Sequence, residues 1–331
     1  MRLLVCGGAG FIGSGFVRIR VREHGDRITV LDKLTYAGRR ENLHDVIDEV
    51  EFVHGAIEDP VAVAEAVEGA EAIVNFAAET HVDRSISGPE AFILTNMQGT
   101  HVLLEAARTR GLRYVQVSTD EVYGSIEDGS FTEASPLAPS SPYSATKTGA
   151  DLLVGSYFHT YGTETLICRG SNNYGPYQYP EKLIPLMILN ALAGDRLPVY
   201  GDGRQVRNWL FVEDFAAGIG HVLQHGAPGE VYNCGGPDEC ENVEVVRRVI
   251  ELTGADPELI EHVTDRPGHD RRYSLSSEKL AALGWRAATR FEDGLRRTVS
   301  WYQENQWWWE PIRSGEYRQY YERHYGRALR S

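Results

Sequence analysis

The stretch that decides the fold lies at the start of the chain, where residues 2–13 read RLLVCGGAGFIG. A short apolar run over residues 3–6 leads directly into the glycine loop Gly7-Gly8-Ala9-Gly10-Phe11-Ile12-Gly13. The loop matches the pattern GxxGxxG and, from Gly8, the pattern GxGxxG. Such glycines permit a tight turn from a strand into a helix, and they let a pyrophosphate approach unpaired N–H groups at the helix start. The position directly after an apolar strand therefore predicts a dinucleotide site.

A second apolar run, over residues 28–31, ends at Asp32. An acidic side chain about 20 residues after such a loop accepts hydrogen bonds from the adenine ribose hydroxyls and repels the 2′-phosphate of NADP. Asp32 therefore favours NAD as the cofactor. Lys33 beside it weakens this argument, and aspartate at a strand end is also a common turn residue.

Further short apolar runs occur at residues 72–76, 114–118 and 166–168, each bounded by glycine, polar or acidic residues, as is typical of buried parallel strands. The stretches between them are long enough for crossover helices. Residues 96–110 carry apolar side chains at helical spacing, and Gly111 is the predicted stop. The alternation predicts an α/β fold, with a Rossmann-type doubly wound parallel sheet and a smaller, interleaved substrate-binding lobe.

The domain boundaries follow from the point where this alternation ends. After Gly170 the glycine, proline, asparagine and tyrosine residues at 172–180 indicate a loop. The later apolar segments 209–211 and 231–233 could return to the main sheet. We therefore assign residues 1–170 and about 204–230 to the NAD-binding Rossmann domain, and about 171–203 and 231–331 to the second lobe.

Composition limits the classes of partner. The chain has 33 Lys and Arg against 47 Asp and Glu, a net charge of −14, which opposes binding to nucleic acid, although local basic residues can still bind a diphosphate. No apolar run approaches the roughly 20 residues of a membrane span, and the first residues lack the layout of a secretory signal. Four scattered cysteines without a CxxC pair predict buried apolar residues and no metal site. We expect a cytoplasmic protein.

A candidate catalytic pair lies in the stretch Tyr143-Ser144-Ala145-Thr146-Lys147, which places a phenol and an ammonium on one face of a helix. Tyrosine, with a solution pKa near 10, is a poor base at neutral pH, but a neighbouring lysine and a positive nicotinamide ring can stabilise its phenolate. Combined with the glycine loop and a Ser/Thr at the end of the intervening strand, the pair resembles the extended, nucleotide-sugar branch of the short-chain dehydrogenase/reductase superfamily.

Residues 118–124, STDEVYG, place the adjacent carboxylates Asp120 and Glu121 beside this pair. One carboxyl can act as an acid and the other as a base. The segment resembles the signature of the dTDP-glucose 4,6-dehydratases. Further segments that match are AAETHVDRS at 77–85, NNYGP at 172–176, PEKLIP at 180–185 and DRPGHD at 265–270. The resemblance extends over nearly the whole chain.

The resemblance implies a role for each residue of the catalytic set. Thr119 would hydrogen-bond the O4 region of the sugar, Asp120 would be the acid for C6, and Glu121 the base for C5. Tyr143 would take the O4 proton, and Lys147 would hold the nicotinamide ribose and tune Tyr143. The implied reaction converts dTDP-glucose to dTDP-4-keto-6-deoxyglucose by oxidation at C4, loss of water between C5 and C6, and reduction at C6 with NAD retained.

The same resemblance implies the binding residues and a homodimer built from two helices of each subunit. Cofactor contacts would come from Gly7, Gly10, Phe11, Ile12, Gly13, Asp32, Lys33, Leu34, Thr35, Ile57, Ala77, Ala78, Thr95, Tyr143, Lys147 and Asn173. Substrate contacts would come from Thr80, Thr119, Asn172, Lys182, Leu183, Pro198, Tyr200, Arg207, Asn242, Arg266 and His269. The basic members suit a diphosphate, because they supply positive charge and forked donors.

Three positions depart from the family pattern: Cys6 stands in place of the usual Thr, Ala56 in place of an Asp that commonly contacts adenine, and Thr80 in place of Ser. None of them is a catalytic carboxylate or the tyrosine. Ala56 removes one hydrogen-bond acceptor, so the affinity for the cofactor is the property it would change.

Two alternatives remain open. A related nucleotide-sugar 4-epimerase or decarboxylase would share the glycine loop and the Tyr–Lys pair, but it would not need the pair Asp120-Glu121. A non-catalytic dinucleotide sensor would need none of the catalytic set. The aromatic C-terminus, with Trp307-Trp308-Trp309 followed by Tyr317, Tyr321 and Tyr325, predicts a helix that covers the surface or contacts a second subunit.

Overall fold

The main sheet contains all five of the strands predicted from apolar runs, with bounds that differ by one or two residues. The structure is a computed structural model that describes residues 1–265, 269–314 and 321. In these residues the strands are β1 (Arg2–Cys6), β2 (Arg27–Asp32), β3 (Glu51–His54), β4 (Ala72–Asn75), β5 (Arg113–Thr119), β6 (Thr165–Gly170), β7 (Asn172–Tyr174), β8 (Leu197–Tyr200), β9 (Val206–Phe211), β10 (Val231–Cys234), β11 (Asp238–Glu241) and β12 (Ile260–Val263).

Seven of these strands form one parallel sheet in the order β10-β6-β5-β4-β1-β2-β3. The order reverses direction at β1, as in a doubly wound fold. The helices are α1 (Phe11–His24), α2 (Pro60–Ala66), α3 (Val82–Ser87), α4 (Glu90–Phe92), α5 (Thr100–Arg110), α6 (Pro142–Tyr161), α7 (Leu183–Ala193), α8 (Val212–His225), α9 (Asn242–Thr253), α10 (Glu278–Ala282), α11 (Phe291–Glu304) and α12 (Gln306–Ser314).

Both faces of the sheet are covered, which explains why its strands are continuously apolar. Successive side chains of a strand point to opposite faces. In β1, Leu3 and Val5 pack into the core beneath α1 and α8, whereas Leu4 and Cys6 pack into the core beneath α2, α5 and α6. The predicted doubly wound Rossmann-type sheet is therefore confirmed.

The second lobe has its own core, built from α7, α9 and α11 with side chains such as Ile188, Val246 and Val299. It also carries a three-stranded sheet, β11-β9-β7, and a two-stranded sheet, β12-β8. Strand β10 belongs to the main sheet, as one of the two possibilities for residues 231–233. Residues 231–233 thus return to the main sheet, and the domain boundaries stay predictions.

Two local predictions need correction. Residues 172–174 form strand β7 rather than loop, because they pair with β9, the strand that holds residues 209–211 outside the main sheet. The helix predicted over residues 96–110 is α-helical only from Thr100, since Ile93–Gly99 is a π-helix. The wider turn coincides with contacts of the Asn96 side chain to Glu79 and Thr146 across the site.

The four cysteines are free and buried, as predicted. Within the described ranges, no helix is long and apolar enough to cross a membrane, and no cluster of His, Cys, Asp and Glu is arranged to hold a metal ion. Of the aromatic C-terminus, Trp307–Trp309 lie in α12 and Tyr321 is buried. Tyr317 and Tyr325 lie outside the described residues, as does Arg266.

Candidate active site

A cavity of about 340 Å³ opens at the carboxyl ends of the main-sheet strands, where the strand order reverses. This is the place where doubly wound sheets bind ligands. Its lining includes residues from the glycine loop, the ends of β2, β4 and β5, helix α6, and the loop that follows β7. Predicted site residues on this lining are Gly7, Gly10, Phe11, Ile12, Gly13, Asp32, Lys33, Thr35, Ile57, Ala77, Ala78, Thr80, Thr95, Thr119, Asp120, Glu121, Tyr143, Lys147, Asn172, Asn173, Lys182 and Leu183.

The glycine loop has the shape that its sequence predicts. Gly7 has a φ of +73°, and a Cβ atom there would lie 2.5 Å from the backbone nitrogen of Ala77. A Cβ atom on Gly13 would collide with the carbonyl oxygen of Gly7. Gly10 precedes α1 and has no side chain to cap the first N–H groups of that helix. The loop is thus shaped for a close-lying anion such as a pyrophosphate.

Asp32 is buried at the end of β2, where its Oδ2 accepts the N–H of Ala9 at 3.0 Å and its Oδ1 that of Leu34 at 2.9 Å. Burial raises the pKa of Asp32. The neighbouring Lys33 ammonium donates to Thr95 at 2.8 Å and to a Glu58 carboxylate oxygen at 3.2 Å. The Glu58 carboxylate already pairs with the Lys33 ammonium. The positive charge of Lys33 is therefore a weak argument for a site that binds the 2′-phosphate of NADP.

The two carboxylates lie in a single 3-10 turn, Asp120–Tyr123, directly after β5. The Thr119 hydroxyl donates to Asp120 Oδ1 at 3.2 Å and accepts the N–H of Glu121 at 3.3 Å. Asp120 is 1% exposed, and its Oδ2 has no hydrogen-bond partner within the described residues. Burial, and then the charge of Glu121, raise the pKa of Asp120 to about 8, against the opposing charge of Arg207. Asp120 is therefore a carboxylic acid that keeps its proton at neutral pH.

Helix α6 presents Tyr143 and Lys147 to the same end of the cavity. The helix begins with a capping box, in which the side chains of Ser141 and Ser144 each accept the other's backbone N–H, so its start is well determined. Tyr143 is buried and hydrogen-bonds Thr119. The Lys147 ammonium donates to the carbonyl of Val117 at 2.7 Å.

Burial dominates the pKa values of this pair within the protein itself. Burial, and then the nearby Glu121 carboxylate, raise the pKa of Tyr143. Burial lowers the pKa of Lys147 to about 8, and Asp151, one helical turn later, opposes this. Within the protein alone, burial and the Glu121 carboxylate therefore favour the protonated Tyr143 phenol.

The second lobe contributes polar groups from the other side of the cavity. Lys182 donates to the backbone carbonyl of Thr80 at 3.1 Å, which links the lobe to the main domain. Asn172 and Asn173 each have a buried Oδ1 atom without a hydrogen-bond partner in the part of the chain that the structure describes. Such orphaned acceptors fit a site that binds a polar ligand.

Six predicted residues do not lie on the cavity lining as defined by the described residues: Leu34, Pro198, Tyr200, Arg207, Asn242 and His269. Two of them contact each other, since the Tyr200 and His269 rings meet edge to face at 6.0 Å. The Arg207 guanidinium donates to the carbonyl of Asp270 at 3.0 Å, and its positive charge opposes the rise in the pKa of Asp120. Arg207 therefore acts electrostatically on a residue of the cavity lining.

Sequence reasoning missed Glu181, which lines the cavity and is almost fully buried. Its carboxylate accepts from the Tyr36 hydroxyl at 2.8 Å and from Arg84 at 3.2 Å. The signal was present, because Glu181 lies in the segment PEKLIP beside Lys182.

The chain was compared with known proteins. The model of the family described as GDP-mannose 4,6 dehydratase matches residues 4–298. A dTDP-glucose 4,6-dehydratase of Streptomyces niveus is 50% identical over 323 residues, which cover 95% of this chain and 96% of that protein.

Solved structures show the same relationship. The dTDP-glucose 4,6-dehydratase DesIV of Streptomyces venezuelae, in a crystal structure that contains NAD, is 52% identical and has a TM-score of 0.92, covering 94% of this chain and all of that one. The UDP-glucose 4-epimerase of Thermus thermophilus, in complex with NAD, is 32% identical and has a TM-score of 0.86, with 92% and 100% of the two chains covered. On the family match and these full-length similarities, the chain belongs to the GDP-mannose 4,6 dehydratase family, among relatives that are dTDP-glucose 4,6-dehydratases.

Proposed function

We propose that this protein is a dTDP-glucose 4,6-dehydratase that uses tightly bound NAD to form dTDP-4-keto-6-deoxyglucose. The observation that carries the proposal is the buried Asp120 carboxyl beside Glu121 in one turn, on the same cavity as Tyr143. An acid and a base next to an oxidation site are what elimination of water across C5 and C6 requires.

The residues present fit NAD. Gly7, Gly10 and Gly13 would receive the pyrophosphate at the start of α1, and Asp32 the adenine ribose. The walls around the cofactor would be completed by Phe11, Ile12, Lys33, Thr35, Ile57, Ala77, Ala78, Thr95, Lys147 and Asn173. Leu34 would contribute next to them, because its backbone N–H donates to the Asp32 carboxylate. NAD, when bound, supplies a hydride acceptor and donor and, in its oxidised form, a positive charge.

In the first step, Tyr143 takes the proton from the sugar O4 as C4 is oxidised. The Thr119 hydroxyl, bonded to both Tyr143 and Asp120, would orient the O4 region. Lys147 places a buried positive charge on the same helix, one turn from Tyr143. Oxidation at C4 makes the C5 proton acidic, since the adjacent carbonyl stabilises the carbanion.

In the second step, Glu121 removes the C5 proton and Asp120 protonates the departing C6 hydroxyl, so that water leaves. The unpartnered Oδ2 of Asp120 is the atom that would carry this proton. In the third step C6 is reduced and C5 is reprotonated. On the cavity lining, substrate binding would use Thr80, Asn172, Lys182 and Leu183. Pro198, Tyr200, Arg207, Asn242, Arg266 and His269 are proposed as substrate contacts from the sequence.

The path of a label tests this function directly. Deuterium at C4 of dTDP-glucose should reappear in the C6 methyl group of the same molecule, because oxidation and reduction share one bound cofactor. Mass spectrometry of product from mixed labelled and unlabelled substrate measures both position and crossover.

The alternatives give different results in that experiment. A 4-epimerase would return the label to C4, and a decarboxylase would release carbon dioxide. A sensor would yield no product. Label outside C6, or free NADH in stoichiometric amount, would refute the dehydratase. We favour the dehydratase over the epimerase and decarboxylase because neither needs the Asp120-Glu121 pair.

The pH dependence follows from two groups whose pKa values are about 8. Asp120, whose pKa is raised, stays protonated below this value and loses its proton above it. Lys147, whose pKa is lowered, likewise keeps its charge only below it. For these two groups the signs agree, so the elimination of water, which needs protonated Asp120, should slow as the pH rises through about 8. The C4 oxidation has the opposite sign, because it needs Tyr143 as a base and the pKa of Tyr143 is raised. An elimination step, followed after C4 oxidation in a single turnover, that becomes faster between about pH 8 and pH 10 would contradict the role of Asp120.

We further propose a cytoplasmic homodimer. Apolar side chains remain exposed on the π-helical segment and on α6, which pack against each other: Ile93, Leu94, Met97 and Leu152. A contiguous exposed apolar patch marks an interaction surface, and pairing two such helices with their copies would cover it. The four free, buried cysteines suit a reducing compartment.

A further inference from the structure

The aromatic C-terminus has no part in the function proposed above, yet it packs beside the glycine loop. Trp308 of α12 is 1% exposed. Its ring lies 5.2 Å from that of Trp301 and 5.8 Å from that of Tyr177, measured between centroids. The neighbouring Trp307 is exposed. Of these two tryptophans, Trp308 is therefore the core residue.

Trp308 reaches the glycine loop through a single buried amide, that of Asn42. The indole Nε1–H donates to Asn42 Oδ1 at 2.7 Å, and Asn42 Nδ2 donates to the backbone carbonyl of Ala9 at 2.7 Å. Asn42 is 1% exposed. An indole N–H can only donate and a carbonyl can only accept, so the orientation of the amide is determined by its two neighbours. Removing the indole donor would free the amide to turn.

The Ala9 peptide is held from both sides. Its N–H donates to Asp32 at 3.0 Å, and its carbonyl accepts from Arg39 N–H at 3.0 Å as well as from Asn42. The Arg39 guanidinium in turn donates to the carbonyl of Trp308 at 2.9 Å. Trp308 therefore contacts both of the residues that hold the Ala9 carbonyl, and Ala9 is the third residue of the loop.

A second link joins the same helices to the opposite wall of the cavity. The Tyr302 hydroxyl of α11 donates to the backbone carbonyl of Gln178. The Gln178 side chain donates to the carbonyl of Asn173 at 2.8 Å, and both residues line the cavity. The C-terminal helices thus support two walls of the cofactor site.

We propose that Trp308 is a positioning residue for the cofactor, which acts through Asn42 to hold the glycine loop in its binding shape. A loop that is already ordered binds its ligand without the entropic cost of ordering on association. Trp308 does not itself contact the cofactor in this proposal. The inference rests on the proposed NAD site, and it gives the C-terminal tryptophan a part in cofactor retention.

The test is the affinity for NAD of protein stripped of nucleotide, measured by titration. Trp308→Phe keeps an aromatic ring but removes the donor, and it should weaken NAD binding about three- to tenfold, the worth of one hydrogen bond. Amide hydrogen exchange in residues 7–13 should become faster in the stripped variant. Trp307→Phe is the matched control: its indole bonds only Asn305 among the described residues, so binding should not change.

A second variant separates this role from general destabilisation. Asn42→Asp keeps an acceptor for Trp308 but removes the donor to Ala9, so it should weaken NAD binding even where Trp308→Phe folds poorly. In the double variant the Trp308 change should add nothing further, because the link is already broken. Additive losses, an equal loss in Trp307→Phe, or unchanged binding in Trp308→Phe would each overturn the proposal. Failure of the unaltered protein to bind NAD would instead refute the proposed function.

Discussion

Tyr143→Phe is expected to abolish the first oxidation, with a loss of about 10²- to 10⁴-fold in turnover. Phenylalanine keeps the buried ring and its edge-to-face contact with Phe92, but it cannot accept the O4 proton. The hydrogen bond with Thr119 is lost as well. Absorbance of NADH during a single turnover would report the step directly, and no reduced cofactor should accumulate.

The control for this substitution is Tyr161→Phe, which makes the same chemical change on the same helix at an exposed position. Turnover of that variant should match that of the unaltered protein. Because the Tyr143 ring is retained, the melting temperatures of both variants should stay close to the original. Near-normal turnover of a folded Tyr143→Phe protein would remove Tyr143 from its proposed role.

Asp120→Asn and Glu121→Gln should slow the elimination of water far more than the preceding oxidation. Neither carboxylate is needed to take the O4 proton, whereas Asp120 must deliver a proton to the C6 hydroxyl and Glu121 must remove the one on C5. We expect a loss of about 10²- to 10⁴-fold in formation of the 6-deoxy product, typical for a missing general acid or base. Bound NADH should therefore accumulate in a single turnover.

Glu127→Gln and Asp128→Asn are matched controls, since these residues lie in the same loop but are exposed. They should leave both steps unchanged. Equal suppression of oxidation and elimination in the Asp120 and Glu121 variants would count against the proposed division of labour. A release of carbon dioxide or a product epimeric at C4 would point to the rival activities instead.

Much of the fold could be predicted because it depends on local patterns. The five apolar runs appear as strands, because a strand buried on both faces must be apolar throughout. Gly7 and Gly13 could be recognised because no other side chain fits the turn that they make. The spacing of Tyr143 and Lys147 placed both on one helix face, since a helix turns once in about 3.6 residues.

Other features depended on contacts that no local pattern reveals. Strand β7 was predicted as loop, because it exists only through its pairing with β9, more than 30 residues later. The π-helical turn at Ile93–Gly99 leaves the apolar spacing almost unchanged, so periodicity cannot detect it. The rise in the pKa of Tyr143 could not be predicted from the sequence for a similar reason. It depends on how deeply the phenol is buried and on the carboxylates that are buried with it.

By itself, the sequence determined the sheet, the glycine loop and the candidate catalytic residues, because each is encoded within a short segment by backbone conformation and side-chain chemistry. Only the tertiary structure decided the state of those residues: Asp120 keeps its proton because folding buries it beside Glu121, and these two effects together outweigh the opposing charge of Arg207. Only the tertiary structure also joined Trp308 to Asn42, 266 positions apart. Burial and long-range hydrogen bonds arise when distant segments meet, so their energies cannot be read from any one segment alone.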